Sequence, residues 1–591
     1  MASVFQIKHR DLAARIGTIK TNHGKIETPT LFPVVNPNIQ TIKPKNLQKY
    51  GAQQLITNSY ILYKNYRDEV LKKGVHKLLG FDGPIMTDSG AFQLMGYGDI
   101  DVSNKEIIEF QDSIDVDIGV ILDIPTAEED YDKVRQNVAL TTERAKEAQQ
   151  YINDKRLWCG PVQGSIYTDL LKESAAEMSK LNFDIHPLGS VVPYLMRYKY
   201  KEHVNLIIEA KRILPADRPV HLFGAGHPMF FAFAVGLGID LFDSAAYALF
   251  AKQDRYITVQ GTLKIHDIEY LPCSCPVCVS TTAKELRQLP DKERELALSE
   301  HNLYVTFGEI NAIKQAIVDG TLWELIEQRA KAHPSLYAAK NTMERRMDYM
   351  DDYDPYTKRH FFDLSRSTQY TPQAKRAKAR IESIKGVMTF IPKLGEVPRT
   401  LANCFPFQQF VTTEDFKLER ERDKEKMIRD VSRYWFGIDV FPKKISIILS
   451  PKTKKIREVR DENNALLATV RATDYLMLPH AASIELHKTK YPRVMIDTEV
   501  SEFILEGKSV FAKHVKKVDD KIVYGMPVLV VDENNRLLAS GEAKMSSKEM
   551  RDFDSGVAVD TRWANPSGEN RETSKTAQRS SQTSGYKQRV N

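Results

Sequence analysis

Three closely spaced cysteines are the first residues in this sequence that could do chemistry. Cys273, Cys275 and Cys278 occupy three of six consecutive positions, although the whole chain has only five cysteines. Zinc prefers tetrahedral nitrogen and sulfur ligation, and this loop spacing lets three thiolates face one point. The fourth ligand must come from elsewhere, and we choose His301, with His266 as the rival. Four protein ligands make a closed site, so we expect one structural zinc ion.

Acidic residues at the ends of apolar runs form a second group. Asp88, Asp123 and Asp243 each come directly after a short apolar run, and Gln163 and Gly189 follow two further runs. Parallel barrel strands gather side chains from their carboxyl ends into one active site. An Asp in this position can also cap the following helix. Because three of them occur beside glycines, we favour a shared cleft.

The elements that would position these residues alternate between strand-like and helical patterns. Helical periodicity marks Glu128–Asp154, Tyr167–Leu181 and Lys199–Leu214. The strand-like runs are Gln54–Thr57, Pro84–Thr87, Ile118–Leu122, Leu157–Val162, Ile185–Leu188, Pro219–Phe223 and Ile239–Phe242. This alternation predicts an α/β fold with a parallel sheet, and seven runs fit a (β/α)₈ TIM barrel with one strand unaccounted for. A doubly wound open sheet is the competing architecture.

The chain is long enough for several domains. Short strand-like runs after residue 493, among them Lys521–Val523, alternate with turns and predict a small β-barrel, whereas the last residues are rich in Ser, Thr, Gln and Arg. We predict, in order, a catalytic domain (1–345) with the zinc site near 273–301, two small α+β domains (346–425 and 426–492), a β-barrel domain (493–565) and a disordered basic tail (566–591).

Composition limits the classes of function. Of 591 residues, 42% are hydrophobic and 27% charged, and the net charge is +6, so a polyanion partner is permitted but not required. Basic runs such as Lys375–Arg380 and Lys452–Arg460 favour such a partner. The start has no secretory h-region, and the longest apolar stretch, Met229 to Ile239, is too short to span a bilayer. We expect a cytoplasmic protein that does not enter the membrane.

Several ordered motifs resemble the tRNA-guanine transglycosylases. The motifs are Thr87-Asp88-Ser89-Gly90-Ala91-Phe92-Gln93, Gly189-Ser190, Gly238-Ile239-Asp240-Leu241-Phe242-Asp243 and the Cys-x-Cys-x-x-Cys knuckle. The resemblance covers about residues 5–340. It implies a (β/α)₈ enzyme, a pentosyltransferase that exchanges a guanine base in tRNA for a deazaguanine, with zinc bound at the knuckle.

The C-terminal part resembles the archaeal branch of this family. Gly507–Lys513, Tyr524–Val528 and Ala539–Ala543 are similar to the PUA domain, an RNA-binding β-barrel. After Asp243 the chain reads Ser-Ala-Ala-Tyr-Ala-Leu, not the Cys-Val-Leu-Pro-Thr-Arg of queuine-type enzymes. The resemblance implies the first base exchange of archaeosine biosynthesis, in which 7-cyano-7-deazaguanine replaces guanine at position 15 in the tRNA D-arm. It also implies a homodimer.

Exchange of a nucleobase breaks an N-glycosidic bond and remakes it on the same ribose. One carboxylate can trap the ribose carbon as a covalent tRNA–enzyme intermediate while a second group manages the proton of the leaving base. The residue types alone allow either Asp88 or Asp243 to attack. By the resemblance, Asp243 matches the nucleophile, and Asp88 matches a second essential Asp with acid/base and base-positioning roles.

Base recognition involves four further candidates. An ionised carboxylate can accept hydrogen bonds from the N1–H and the amine of guanine, and Asp123 matches the guanine-recognising Asp of the family. Gln163 offers a donor and an acceptor to O6 and N7, and Gly189 allows close approach because it lacks a Cβ. Phe92 matches an aromatic residue that stacks on the base.

Two other functions compete with base exchange. A paralogous archaeosine synthase-type enzyme, which forms an amidine on the inserted base, shares the domain order but does not need the pair of exchange carboxylates. A non-catalytic zinc protein that only binds RNA would use the knuckle, the basic runs and the β-barrel domain. The presence of Asp88, Asp123 and Asp243 together favours base exchange over both.

Overall fold

The fold is described from a computed structural model of the chain. The structure describes residues 4–90, 102–126, 130–360, 366–391, 394–409 and 422–566. Within these ranges no helix is both long enough and apolar enough to cross a membrane.

Eight parallel strands close into a barrel in the described part of the N-terminal half. A small antiparallel sheet comes first, with β1 (Phe5–Asp11), β2 (Ala14–Thr21) and β3 (Gly24–Glu27). The barrel strands are β4 (Thr30–Pro33), β5 (Leu55–Asn58), β6 (Ile85–Asp88), β7 (Ile118–Val120), β8 (Leu157–Cys159), β9 (His186–Leu188), β10 (Val220–Leu222) and β11 (Leu241–Ser244). They pair as two four-stranded parallel sheets, β4-β11-β10-β9 and β5-β6-β7-β8.

Parallel bridges join the two sheets on both sides. Val34 pairs with Ile56 between β4 and β5, and Cys159 pairs with Ile185 between β8 and β9. The cylinder is therefore complete, which confirms the predicted barrel and excludes the open sheet. The strand missing from the sequence prediction is β4, which has only four residues, follows Pro29 and ends at Pro33.

Helices surround the barrel and connect its strands. Those of the barrel are Ser59–Asn65, Arg67–Lys73, Val75–Leu79, Asn104–Ser113, Tyr131–Ala148, Thr168–Met178, Val192–Met196, Tyr200–Ile213, Phe231–Gly236 and Ala246–Ala251. The following helices are Pro276–Val279, Ala283–Gln288, Asp291–Asp319, Leu322–Ala330 and Pro334–Arg345. The three helices predicted from periodicity are present, each shortened at its ends.

Apolar side chains fill the barrel interior below the carboxyl ends of its strands. Phe32, Ile56, Met86, Ile118 and Leu241 point inward from five strands and are all at most 2% exposed. From the N-terminal ends of the strands, β1–β3 add three more buried side chains to the same core, those of Phe5, Ile19 and Ile26. The barrel is thus closed at the end opposite the carboxyl ends of its strands.

A His–Asp–His cluster holds β1–β3 against this closed end. The turn between β2 and β3 carries His23, whose ring stacks on His76 with the centroids 3.7 Å apart. The buried Asp117 lies between them, with Oδ1 3.1 Å from Nδ1 of His23 and Oδ2 3.3 Å from Nε2 of His76. Asp117 also accepts the backbone N–H of Ile85 at 2.9 Å.

This cluster predicts a pH-dependent stability. Burial opposes the imidazolium, but the hydrogen bond and charge of Asp117 raise the pKa of His76. Burial opposes the carboxylate, but hydrogen bonds from His76, Ile85 and His23 lower the pKa of Asp117 to about 2. The stability that His76 contributes is fully present below the pKa of His in the unfolded chain, about 6.5. It is lost as the pH rises through the raised pKa of His76 in the folded protein. The contribution of Asp117 is lost only as the pH falls toward about 2.

We therefore expect His76→Asn to lower the free energy of unfolding by about 1 kcal/mol at pH 6 and by much less at pH 9. Asn is chosen because its amide can still donate to the carbonyl of Phe81, as Nδ1 of His76 does at 3.1 Å. Denaturant unfolding at both pH values measures the difference. An equal difference at the two pH values would show that the cluster does not titrate in this range.

The remaining strands belong to small antiparallel hairpins and sheets and to one larger sheet. They are β12 (Arg255–Thr258), β13 (Gly261–Lys264), β14 (Met388–Ile391), β15 (Gly395–Pro398), β16 (Ser446–Leu449), β17 (Ile456–Arg460), β18 (Leu466–Val470), β19 (Met477–Pro479), β20 (Arg493–Ile496), β21 (Val510–Phe511), β22 (Val515–Val518), β23 (Pro527–Val531), β24 (Leu537–Ala543) and β25 (Val557–Ala564). The helices here are Pro372–Ile381, Lys424–Phe436, Ser483–His487, Ser501–Leu505 and Ser547–Asp552.

The C-terminal β-barrel predicted from the sequence is a six-stranded sheet in the order β21-β25-β24-β23-β20-β22. The turn at Asp532 joins β23 to β24, where the Oδ1 of Asp532 accepts the N–H of Asn534 at 3.0 Å and of Arg536 at 2.9 Å. The predicted strand Lys521–Val523 is wrong, because Lys521 lies in a turn and the next two residues have no regular secondary structure. The two cysteines outside the knuckle, Cys159 and Cys404, are buried.

The C-terminal parts pack on the closed end of the barrel through charged side chains. Lys358 is buried between Asp11, 2.6 Å from its Nζ, and Asp354, 3.0 Å away. Helix Ser547–Asp552 approaches the same end, and its Glu549 accepts a hydrogen bond from Arg10 at 2.9 Å. The carboxyl ends of the barrel strands lie at the opposite end.

Candidate active site and metal centre

Three carboxylates converge at the carboxyl ends of the barrel strands. Side chains alternate along a strand, so Asp88 lies on the inward face two residues beyond Met86, and Asp243 lies on it two residues beyond Leu241. Asp123 comes three residues after the end of β7. The charges of Asp243 and Asp123 both raise the pKa of Asp88, so the three carboxylates lie close enough to interact electrostatically.

Asp88 is held by the strand beside it and by its own turn. Its Oδ1 accepts the Nδ2–H of Asn58 at 2.6 Å and the backbone N–H of Gly90 at 2.7 Å. Gly90 has φ +82°, a conformation that favours glycine, and an added Cβ would lie 2.3 Å from the Cβ of Tyr60. Burial raises the pKa of Asp88 to about 7, the nearby charges of Asp243 and Asp123 add to the rise, and the Gly90 N–H opposes it. The carboxyl can therefore hold or release a proton near neutral pH.

Asp123 belongs to a hydrogen-bonded chain with Gln163 and Ser190. The Nε2–H of Gln163 donates to Oδ2 of Asp123 at 2.6 Å, and Ser190 donates to Oε1 of Gln163 at 2.6 Å. Burial raises the pKa of Asp123 to about 6, although hydrogen bonds from Ser89 and Gln163 oppose this. Because one Nε2–H is used, Gln163 keeps its second N–H for a ligand oxygen.

Gly189 contacts this chain directly. A Cβ at Gly189 would lie 2.4 Å from Nε2 of Gln163, so the glycine makes room for the amide as well as for a ligand. Phe92, the predicted stacking residue, lies outside the described residues.

Asp243 has two hydrogen-bond donors, one on β10 and one just beyond its end. Its Oδ1 accepts the backbone N–H of Gly224 at 2.8 Å and lies 2.9 Å from Nε2 of His221. The sequence prediction missed His221. Its signal was a lone polar residue in the apolar run Pro219–Phe223, which barrel geometry turns inward beside Leu241.

The knuckle and a helix residue bring four metal-ligand side chains together. The ligand atoms of Cys273, Cys275, Cys278 and His301 all lie within 4.8 Å of one another. Nδ1 of His301 is 3.5 Å from the sulfur of Cys275 and 3.3 Å from that of Cys278. Its Nε2 lies 2.9 Å from the carbonyl of Ile257, which requires an N–H there and leaves Nδ1 as the ligand atom. This donor set suits a tetrahedral zinc ion.

The fourth position falls to His301, and His266 does not join the group. His266 is 63% exposed and lies 3.6 Å from Asp254. His301 lies within helix Asp291–Asp319. Its ring stacks on Tyr256 with centroids 3.6 Å apart, and the hydroxyl of Tyr256 is 3.1 Å from the sulfur of Cys278.

Family models match nearly the whole described chain. The model for queuine tRNA-ribosyltransferase matches residues 11–335. The C1 domain of tRNA-guanine transglycosylase dimerisation matches 355–420, the patch-forming domain C2 of tRNA-guanine transglycosylase matches 426–490, and the PUA domain matches 492–563.

Full-length relatives agree with these matches. The chain is 46% identical to a tRNA-guanine(15) transglycosylase of Pyrococcus furiosus, over 94% of this chain and 97% of the relative. It is 44% identical to one of Thermococcus onnurineus, over 94% and 98%, and 41% identical to one of Methanocaldococcus jannaschii, over 94% and 99%. The chain belongs to the tRNA-guanine transglycosylase family of pentosyltransferases. Within that family it has the catalytic, C1, C2 and PUA domains of the archaeal tRNA-guanine(15) transglycosylases.

Proposed function

We propose that the chain exchanges guanine at position 15 of tRNA for 7-cyano-7-deazaguanine through a covalent tRNA–enzyme intermediate. The observation that carries this proposal is that Asp88, Asp123 and Asp243 lie together at the carboxyl ends of the barrel strands. The names of the relatives supply the tRNA position. Residues 1–345 would carry the chemistry and residues 493–565 would bind RNA.

The first displacement separates guanine from the ribose. An oxygen lone pair of the Asp243 carboxylate attacks C1′, and the electrons of the C1′–N9 bond pass to the leaving base. Asp88, whose pKa is about 7, donates its proton to that base and becomes ionised. The product is a ribosyl ester of Asp243 and free guanine.

The second displacement reverses these events on the new base. The ionised Asp88 takes the N9 proton of 7-cyano-7-deazaguanine, and N9 attacks C1′ as the bond to Asp243 breaks. The carboxylate recovers its electrons, and two inversions leave the ribose configuration unchanged. Water must stay out between the steps, since hydrolysis of the ester would leave an abasic tRNA.

Recognition of the purine would use the Asp123 network. The lone pairs of Asp123 that Ser89 and Gln163 do not occupy can accept the N1–H and the exocyclic amine, and the second Nε2–H of Gln163 can donate to O6. A base in folded tRNA must first be swung out of its stack to reach the carboxyl ends of the barrel strands. Phe92 keeps its proposed stacking role.

We propose that Cys273, Cys275, Cys278 and His301 hold one zinc ion with a structural role. With four protein ligands the ion has no open position for a substrate, so it would stabilise the fold around residues 270–310. The match to a dimerisation domain supports a homodimer, which light scattering of the purified protein would test.

The PUA domain offers a surface suited to RNA. Lys508 and Lys513 are exposed beside Phe511, which is 48% exposed, and Phe503, which is 59% exposed. Lysines neutralise phosphates, and exposed aromatic rings stack on unpaired bases. This surface supports tRNA as the partner of the domain.

We expect the double variant Lys508→Glu/Lys513→Glu to raise the KM for tRNA roughly tenfold or more, because two phosphate contacts become repulsive. The kcat at saturating tRNA should stay within about threefold, and the salt dependence of binding should weaken. The double variant Lys72→Glu/Lys77→Glu makes the same change in charge at exposed positions on two helices of the catalytic domain and is the control. A loss confined to kcat would remove the binding role of this surface.

A base-exchange assay tests the proposed function as a whole. Unmodified tRNA is incubated with the enzyme and with labelled guanine or labelled 7-cyano-7-deazaguanine, and the tRNA is then mapped for the label. Incorporation of both labels at position 15 supports the proposal. Absence of incorporation would favour the amidine-forming paralogue, and tRNA binding without any chemistry would favour a non-catalytic RNA-binding protein.

A further inference from the structure

The two oxygens of the Asp243 carboxylate have different surroundings. Oδ1 lies 2.8 Å from the N–H of Gly224 and 2.9 Å from Nε2 of His221. Oδ2 receives no hydrogen bond from any described residue. Both donors come from the same stretch of chain, since His221 lies on β10 and Gly224 follows its end.

His221 acts here as a hydrogen-bond donor to Asp243. A carboxylate oxygen only accepts, so Nε2 of His221 carries the proton that points at Oδ1. Nδ1 of His221 is buried and meets no hydrogen-bond partner among the described residues. The contact with Asp243 is therefore the one side-chain hydrogen bond of His221 among the described residues.

Aromatic packing keeps the His221 ring in this orientation. The ring has no exposed surface. It stacks on Phe32 of β4, with centroids 5.8 Å apart and planes at 21°. Phe223 packs against it edge to face at 4.7 Å and 72°. The donor is thus positioned before any substrate binds.

We propose that His221 is a positioning residue that holds Oδ1 of Asp243 and so turns Oδ2 toward C1′ of the ribose. This inference rests on the proposed role of Asp243 as nucleophile. A carboxylate without the second donor can rotate about its Cβ–Cγ bond, and the attacking oxygen then spends less time in line with C1′. Base recognition uses a different set of side chains, around Asp123, and is not changed.

The expected effect lies in kcat. A hydrogen bond to a charged group contributes about 1.5–3 kcal/mol, which corresponds to roughly 10- to 100-fold in rate. The KM values for tRNA and for guanine should stay within about twofold. The rate of adduct formation in a single turnover should fall by the same factor as kcat, because the first displacement is the step affected.

The test uses His221→Phe, His221→Gln and Asp243→Asn in the full-length enzyme with intact tRNA. Phe keeps the aromatic packing against Phe32 and Phe223 and removes the donor. Gln places an amide N–H near the position of Nε2 and should restore most of the lost rate. If His221→Phe does not fold, His221→Leu, which also removes the donor and is smaller than Phe, takes its place. Melting temperatures confirm that the variants compared are folded.

Each outcome separates the two proposals. A fall in kcat for His221→Phe at constant KM, with recovery in His221→Gln, supports the inference. If Asp243→Asn abolishes the adduct but His221→Phe retains the wild-type kcat, or loses activity only through KM, the inference fails and the proposed function stands. If Asp243→Asn retains the adduct, the proposed nucleophile is wrong.

Discussion

Replacement of Asp243 by Asn is expected to abolish the covalent tRNA–enzyme adduct and to lower base exchange roughly 10⁴-fold or more. Asn has nearly the same shape, and its carbonyl oxygen can still accept the N–H of Gly224, so the fold should persist. An amide oxygen is a far weaker nucleophile than a carboxylate, and the ester to C1′ cannot form. A denaturing gel of enzyme with radiolabelled tRNA, followed by peptide mapping of the adduct, measures the effect.

Two further variants make this result specific. Asp82→Asn changes an exposed carboxylate just before β6, at the closed end of the barrel, and should leave exchange unchanged. Asp88→Asn removes the group proposed to carry the proton, so exchange should be slow while any adduct still maps to residue 243. An adduct on residue 88 in the wild type would reverse the two roles.

Replacement of His301 by Ala is expected to lower zinc content from one ion per chain to nearly none and to lower the melting temperature by about 10 °C or more. Structural zinc stabilises small folded units by many kcal/mol. The hydrophobic core beside the knuckle is small, with eight buried members among the described residues. Without the ion such a core cannot hold its loops in place. Elemental analysis and calorimetry measure the two effects.

His266→Ala is the matched control, because His266 was the alternative fourth ligand and is 63% exposed. It should retain the zinc and the melting temperature of the wild type. A chelator should give the same destabilisation as His301→Ala without directly blocking the chemistry of molecules that remain folded. Loss of activity with an unchanged melting curve would instead assign the ion a direct part in the reaction.

The barrel was predictable because most of its strands are continuous apolar runs between helical patterns. A strand buried on both faces must be apolar throughout, and that signal is strong even in a short segment. β4 gave no such signal, since Thr30–Pro33 is four residues long and ends in proline. Its place in the cylinder depends on pairing with β11, a contact between distant parts of the chain.

The candidate site was predictable where a polar residue interrupts a strand end, as at Asp88 and Asp243. What the sequence could not supply was the partner of each group. The bonds from Gln163 to Asp123 and from His221 to Asp243 join residues that lie on or after different strands, 40 and 22 residues apart in the chain. The pKa of about 7 at Asp88 likewise depends on burial and on two distant carboxylates. Such values follow from tertiary structure alone.

Because Phe5, Ile19 and Ile26 close one end of the barrel, the described residues leave the candidate site open at the carboxyl ends of the strands. Under the proposed function, the outgoing purine must pass back through the opening by which its replacement enters, while the tRNA stays attached. The two purines would therefore compete for the same binding site, and guanine released early in a reaction would inhibit its own replacement.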